Sequence, residues 1–252
     1  TAEQQEAWLR PLLDAKIRSA FLMTEPDVAS SDATNMAATA IIDGDELVVN
    51  GQKIWTSYAH VADYQELLVR TDPTAPKHKG ISWVICDMKT PGIEIREITT
   101  MSHVNDFCEV FYDDVRIPLT NVVGQINDGW RVTMTTLSFE RGTAFMADQV
   151  ELASVVERLI EEARVRTGPD GKRPAIADDE IARRLALARA EVAALKAMTI
   201  AGISRTQRTG VPGPEGSMTR LFHGELHQRV YQLALDIIGP EALKLTPVDG
   251  NG

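Results

Sequence analysis

The period of the hydrophobic pattern changes twice along this chain, and that restricts the fold more than any other feature. Residues 3–16 place Trp8, Leu9, Leu12 and Leu13 at helical spacing. From 17 to 118 the apolar residues fall in short β-prone runs cut by Pro and Gly. From 128 onward helical spacing returns and persists. A period of two presents a sheet face and a period of 3.6 presents a helix stripe, so the two stretches need separate packing layers. The expectation is a short helix, then a β-domain, then a helical bundle.

Within the β-stretch, 36–55 reads as a hairpin around Asp43-Gly44-Asp45. Further runs follow at 65–70, 81–86, 93–95 and 108–112, and Val115-Arg116-Ile117-Pro118 closes the series. Asp72-Pro73, Pro76 and Pro91-Gly92 punctuate them. Regular short strands with turn signals predict a small barrel or sandwich. Helices are expected over 128–165, with Gly142 as its interior breaker, over 177–207 and over 217–238, the last stopped by Gly239-Pro240. Pro11 is expected early in the first helix or at a kink in it. The expected domains are 1–16, 17–125 and 126–252. Three helices are few for a closed bundle and four bury their faces better, so further helix is expected at both ends.

Composition narrows the function classes. The chain has 252 residues, 44% hydrophobic and 25% charged, enough for a sizeable core. A net charge of −10 opposes binding to a phosphate backbone. The two cysteines, Cys86 and Cys108, form no CxxC and no zinc set, and core thiols in a reducing cytosol are expected. No apolar run reaches the length of a membrane span, about 18 residues. With no initiator Met and no signal pattern at TAEQQEAWLR, a mature N-terminus or a fragment is expected.

Three segments could carry chemistry. In 21–34 a β-prone run ends in Thr24-Glu25-Pro26 and a loop of small hydroxyl residues, suited to a ligand or to a plain turn. In 50–57 Trp55 ends a strand beside Thr56 and Ser57; it could cover a planar ring or fill the core. In 129–141 Glu140 and Arg141 sit in a helix otherwise poor in charge. A carboxylate in an apolar setting suits a general base, and the alternative is a surface ion pair. His223 and His227 have i, i+4 spacing but no HExxH context and no evident third ligand, so no metal is expected. No dinucleotide-binding glycine pattern, P-loop or GxSxG elbow occurs.

Taken in order, these segments resemble the acyl-CoA dehydrogenase family along nearly the whole chain. The carriers are Trp8-Leu9-Arg10-Pro11-Leu12-Leu13, Met23-Thr24-Glu25-Pro26 with Ser31-Asp32, and Asn50-Gly51-Gln52-Lys53-Ile54-Trp55-Thr56-Ser57. Glu109-Val110-Phe111-Tyr112 through Pro118 and Asn127-Asp128-Gly129-Trp130 complete the series. The stretch from Glu225-Leu226-His227-Gln228-Arg229 to Gly239-Pro240 looks like the bacterial branch, whose members include enzymes for bulky CoA thioesters. The resemblance implies an α+β multi-domain fold. Its parts are the last helix of an N-terminal helical domain, a central β-barrel or sandwich domain, and an incomplete C-terminal four-helix bundle.

The resemblance also implies a reaction. A base takes the α-proton of an acyl-CoA thioester, a hydride passes to FAD, the trans-2-enoyl-CoA forms, and electrons leave to an electron-transfer flavoprotein. The flavin supplies the hydride chemistry, while the protein supplies position and field. Carried over by motif, Phe21, Met23 and Thr24 line the isoalloxazine ring, Trp55 packs on it, and Ser57 takes the hydroxyl position near its reactive nitrogen. Ser30 and Ser31 share the flavin-phosphate position because the loop is one residue longer than the common form; Ser31 is preferred and is also a substrate contact. Glu140 is the candidate base, since a minority of the family carry it here, followed by Arg; the majority carry it near the C-terminus. Arg141 orients the substrate or its CoA.

One segment departs from the family pattern. The loop that reaches a neighbouring subunit's FAD pyrophosphate reads Arg164-Val165-Arg166-Thr167-Gly168-Pro169 and lacks the family's Phe, leaving Arg164 or Arg166 to serve. The resemblance implies a cytoplasmic homo- or hetero-oligomer, a dimer of dimers. The alternatives are a half-site or non-catalytic subunit of a heteromeric dehydrogenase, and a flavin oxidase or monooxygenase on the same fold.

Overall fold

The computed structural model describes residues 1–28, 32, 35–76, 78–143 and 146–243. The chain divides into two compact units, Thr1–Thr135 and Thr136–Gly252.

The first unit opens with α1 (Ala2–Gln4), a π-helical turn over Gln5–Leu9 and α2 (Arg10–Leu13). Pro11 explains the widened turn: it has no N–H to donate, and its ring crowds the carbonyl one turn back. The Arg10 N–H accordingly bonds the Gln5 carbonyl, five residues back. Trp8 packs edge-on against Tyr64, and the Gln4 amide donates to the carbonyls of Thr120 and Val122. Leu9, Leu12 and Leu13 are left exposed on this helix.

Seven strands follow: β1 (Ser19–Leu22), β2 (Thr39–Asp43), β3 (Glu46–Ser57), β4 (Tyr64–Arg70), β5 (Ile81–Asp87), β6 (Ile93–Ile98) and β7 (Phe107–Pro118). They form one curled sheet, a half-barrel, ordered β1-β4-β2-β3-β7-β6 with β5 paired to β4. The expected hairpin is β2–β3, turning on Gly44-Asp45, with Gly44 at the positive φ (+64°) that a two-residue hairpin requires. Burial alternates along much of β3 and β7, β4 is buried on both faces over its second half, and Leu22, Leu47, Val49, Leu67, Val110 and Ile117 fill the core. Both cysteines are free thiols in buried strand positions.

The α3 helix (Gly129–Thr143) starts against this sheet. At Gly129 a Cβ would lie 2.4 Å from the Ser82 carbonyl carbon and 2.5 Å from the Trp83 nitrogen. Only glycine lets the first turn of α3 meet β5 this closely.

In the second unit α4 (Met146–Val165), α5 (Asp179–Thr209) and α6 (Glu215–Ile238) pack on one another. The α3 and α4 helices occupy the predicted 128–165 stretch, and 144–145 lie outside the described residues. Leu152, Val156, Leu159 and Ala163 from α4 meet Ile181, Leu185, Ala188 and Leu195 from α5 and Leu226, Val230, Leu233 and Ile237 from α6. These are single stripes at helical spacing. Asp178 caps α5 by accepting from the Glu180 and Ile181 N–H groups, and Gly210 ends it in the left-handed conformation.

Candidate functional site in the sheet unit

Three devices build the site at the end of β1 and along β3. The first is an ion pair. Lys53 Nζ donates to Glu25 Oε1 at 2.7 Å and to the Met23 carbonyl at 3.2 Å. The Glu25 carboxylate also accepts the N–H groups of Ala37 (2.6 Å) and Ala38 (3.0 Å). Lys53 is 0% and Glu25 5% exposed. Burial pushes the Lys53 ammonium down to about 8, with Glu25 pulling the other way. Glu25 is thus a structural clamp that fixes the turn carrying Met23 and Thr24. The Thr24 carbonyl accepts from the Ile54 N–H at 2.9 Å, tying that turn to the Trp55 segment.

The second device is a break in register. Along β3, Lys53 pairs with Val110 and Thr56 with Cys108, so three residues of β3 span two of β7. Trp55 takes φ +59° at this bulge and is 56% exposed. Simple alternation would aim Trp55 inward with Lys53; the bulge turns it out and puts Thr56 inside. The core alternative for Trp55 therefore fails. Its ring meets Phe107 edge-on at 6.2 Å, and Ser57 is exposed two positions on. Neither the Thr24 nor the Ser57 hydroxyl pairs within the described residues.

The third device is an aromatic floor. Phe21 stacks on Trp83 at 5.2 Å, and Met23, Met36 and Trp130 join the same cluster. The structure therefore brings Phe21, Met23, Thr24, Trp55 and Ser57 onto two segments hydrogen-bonded to each other. Their donor set is two free hydroxyls beside a half-exposed indole, which fits the rim and face of a planar heteroaromatic ring such as isoalloxazine.

The remaining expected residues belong to other segments of the chain. Ser30 and Ser31 lie outside the described residues, as do the side chains of Glu140 and Arg141, whose backbone belongs to α3. In the second unit Arg164 is exposed and 3.7 Å from Glu161. Arg166 pairs with Glu241 (3.0 Å) and Glu162 (2.6 Å), and these carboxylates hold its guanidinium firmly charged. Among the described residues no three His, Cys, Asp or Glu side chains gather as a metal site, and no helix is long and apolar enough to cross a membrane.

Sequence reasoning missed the Glu25–Lys53 pair, although a signal existed. Leu47, Val49 and Lys53 share one parity on β3, and a lysine on an inward face requires a buried carboxylate. The bulge at Trp55 left no comparable signal, because no glycine marks it.

Comparison with known proteins matches residues 20–115 to the family profile described as acyl-CoA dehydrogenase, middle domain, and residues 127–249 to acyl-CoA dehydrogenase, C-terminal domain. Acyl-CoA dehydrogenase IpdE1 of Mycobacterium tuberculosis is 35% identical over 97% of this chain and 61% of its own length. Among solved structures, the Tcur3481-Tcur3483 steroid ACAD superposes with a TM-score of 0.87 at 30% identity, over 99% of this chain and 62% of that one. A chain of the ChsE4-ChsE5 complex from Mycobacterium tuberculosis gives 0.82 at 31% identity, over 95% and 60%. The chain thus spans about three fifths of the length of these relatives.

Proposed function

The chain belongs to the acyl-CoA dehydrogenase family of flavin-using oxidoreductases that act on CH–CH bonds, and from that premise we propose that it binds FAD and dehydrogenates an acyl-CoA thioester to the trans-2-enoyl-CoA. Electrons then pass to an electron-transfer flavoprotein. The observation that carries this reading is the outward Trp55 indole at a left-handed bulge, flanked by the unpaired hydroxyls of Thr24 and Ser57. A buried ion pair fixes the turn bearing Thr24, so the donors are preorganised.

FAD, when bound, supplies the hydride acceptor. Phe21, Met23 and Trp55 would hold its ring, and the Thr24 and Ser57 hydroxyls would donate to its polar edge. Ser30 or Ser31 would donate to its phosphate. Glu140 receives the α-proton on a carboxylate oxygen, and Arg141 holds the anionic substrate. Arg164 or Arg166 would reach the pyrophosphate of a neighbouring subunit's cofactor.

The test is a visible spectrum of the purified full chain, repeated anaerobically with a panel of acyl-CoA thioesters. A flavin band that bleaches with a thioester supports the reading. Glu140→Gln keeps the shape and removes the base, so turnover is expected to fall by roughly two to four orders of magnitude with the flavin band retained. Undiminished turnover would remove Glu140 from the mechanism.

One feature favours a second reading, a half-site subunit of a heteromeric dehydrogenase. Arg166 is engaged by Glu162 and Glu241, on a loop without the family's aromatic residue. Flavin that appears only on co-purification with a second chain would select it.

A further inference from the structure

His223 sits on the core face of α6, in line with Leu226, Val230 and Leu233. It is 6% exposed, and among the described residues neither ring nitrogen makes a hydrogen bond of normal geometry, the Asp148 backbone being the nearest acceptor. A buried polar group without a partner carries a desolvation cost that a leucine at the same position would avoid. The ring borders a cavity of about 460 Å³ between α4 and α6. From α4 the cavity wall carries Asp148 and Glu151; from α6 it carries Arg220, His227 and Tyr231. The His227 ring lies 5.8 Å from that of His223 and 4.4 Å from that of Tyr231.

We propose that His223 is an acid-sensitive latch between α4 and α6. Neutral, the ring packs as a core residue. Protonated, it must take water from the adjoining cavity, and α6 loosens from α4. The charge balance favours release over a new ion pair. Burial, then His227, holds the imidazole below its ordinary value; the Asp148 carboxylate and the Asp148 backbone oppose them, and Arg220 adds to the lowering. A group that binds its proton more weakly when folded destabilises the fold as pH falls through its unfolded value. This inference does not depend on the reaction proposed above.

Amide hydrogen exchange of the full chain tests the latch at about pH 7.5 and about pH 5.5, corrected for intrinsic rates. Protection of α4 and α6 amides is expected to be lower at the acidic pH in the wild type, because the imidazole binds its proton more weakly in the folded chain than in the unfolded one. His223→Leu is expected to abolish the drop, and His227→Gln to keep most of it. Equal drops in wild type and His223→Leu would overturn the proposal. Should His223→Leu not fold, NMR titration of the wild-type His223 ring decides. Titration below the ordinary imidazole value supports the latch; titration at or above that value refutes it.

Discussion

Lys53 Nζ lies 2.7 Å from Glu25 Oε1, and the two side chains, one from β3 and one from the turn after β1, are both buried. The carboxylate is fully used, since Ala37 and Ala38 donate to it as well. The pair therefore decides where Met23 and Thr24 stand relative to Trp55. Removing one partner strands the other in the core. Lys53→Met is expected to cost about 3–5 kcal/mol in urea unfolding. Adding Glu25→Gln should recover part of that loss, because the stranded charge disappears while one oxygen still accepts a backbone N–H. A single variant as stable as the wild type would show that the pair is dispensable.

The same lysine sets a pH dependence. Burial takes Lys53 to about 8 from an ordinary 10.5. Between those values the unfolded chain holds a proton that the folded chain lacks. The contribution of this group to stability therefore rises with pH across that window and is flat below it. The unfolding free energy of the wild type relative to Lys53→Met should be greater near pH 10 than near pH 7.5. An unchanged or smaller difference at the higher pH would contradict the depressed lysine.

Trp55 separates stability from ligand binding. Its indole is more than half exposed and its φ of +59° suits glycine. Trp55→Ala should cost no more than about 1 kcal/mol, chiefly the edge contact to Phe107. Trp55→Gly should be more stable than Trp55→Ala by about 1 kcal/mol, because it relieves the left-handed backbone. Both should lose flavin on gel filtration at concentrations where the wild type retains it. Full flavin retention by both would remove the indole from the cofactor site.

These residues also show how far the sequence could be read. The change of period located the curled sheet and the helical stripes, because burial of one face imposes that period directly. The hairpin at Gly44 and the stop at Gly239 were legible because glycine marks backbone that other residues adopt only at a cost. The π-turn ahead of Pro11 was legible only as a kink, since the way a helix absorbs a missing donor depends on what it packs against. The outward turn of Trp55 was hidden: a bulge without glycine depends on the pairing of β3 with β7, which no local pattern encodes. For Thr24 and Ser57 the residue types were visible, and their nearness rests on the Thr24–Ile54 backbone bond.

A close backbone approach at the start of α3 gives the last expectation. Gly129 begins α3 where a Cβ would stand 2.4 Å from Ser82 and 2.5 Å from Trp83, both backbone atoms of β5, which is held in register along its length by β4. Gly129→Ala must therefore move the helix. The cost should fall near the top of the range of about 1–3 kcal/mol for overpacking, a melting shift of several degrees. Because α3 carries Glu140 further along, the displacement should reach the candidate base as well. Turnover should then fall by more than the folded fraction accounts for, with the flavin spectrum largely kept. Loss of stability with turnover per folded molecule unchanged would mean that α3 bends locally at its first turn, and that the position of Glu140 is set elsewhere.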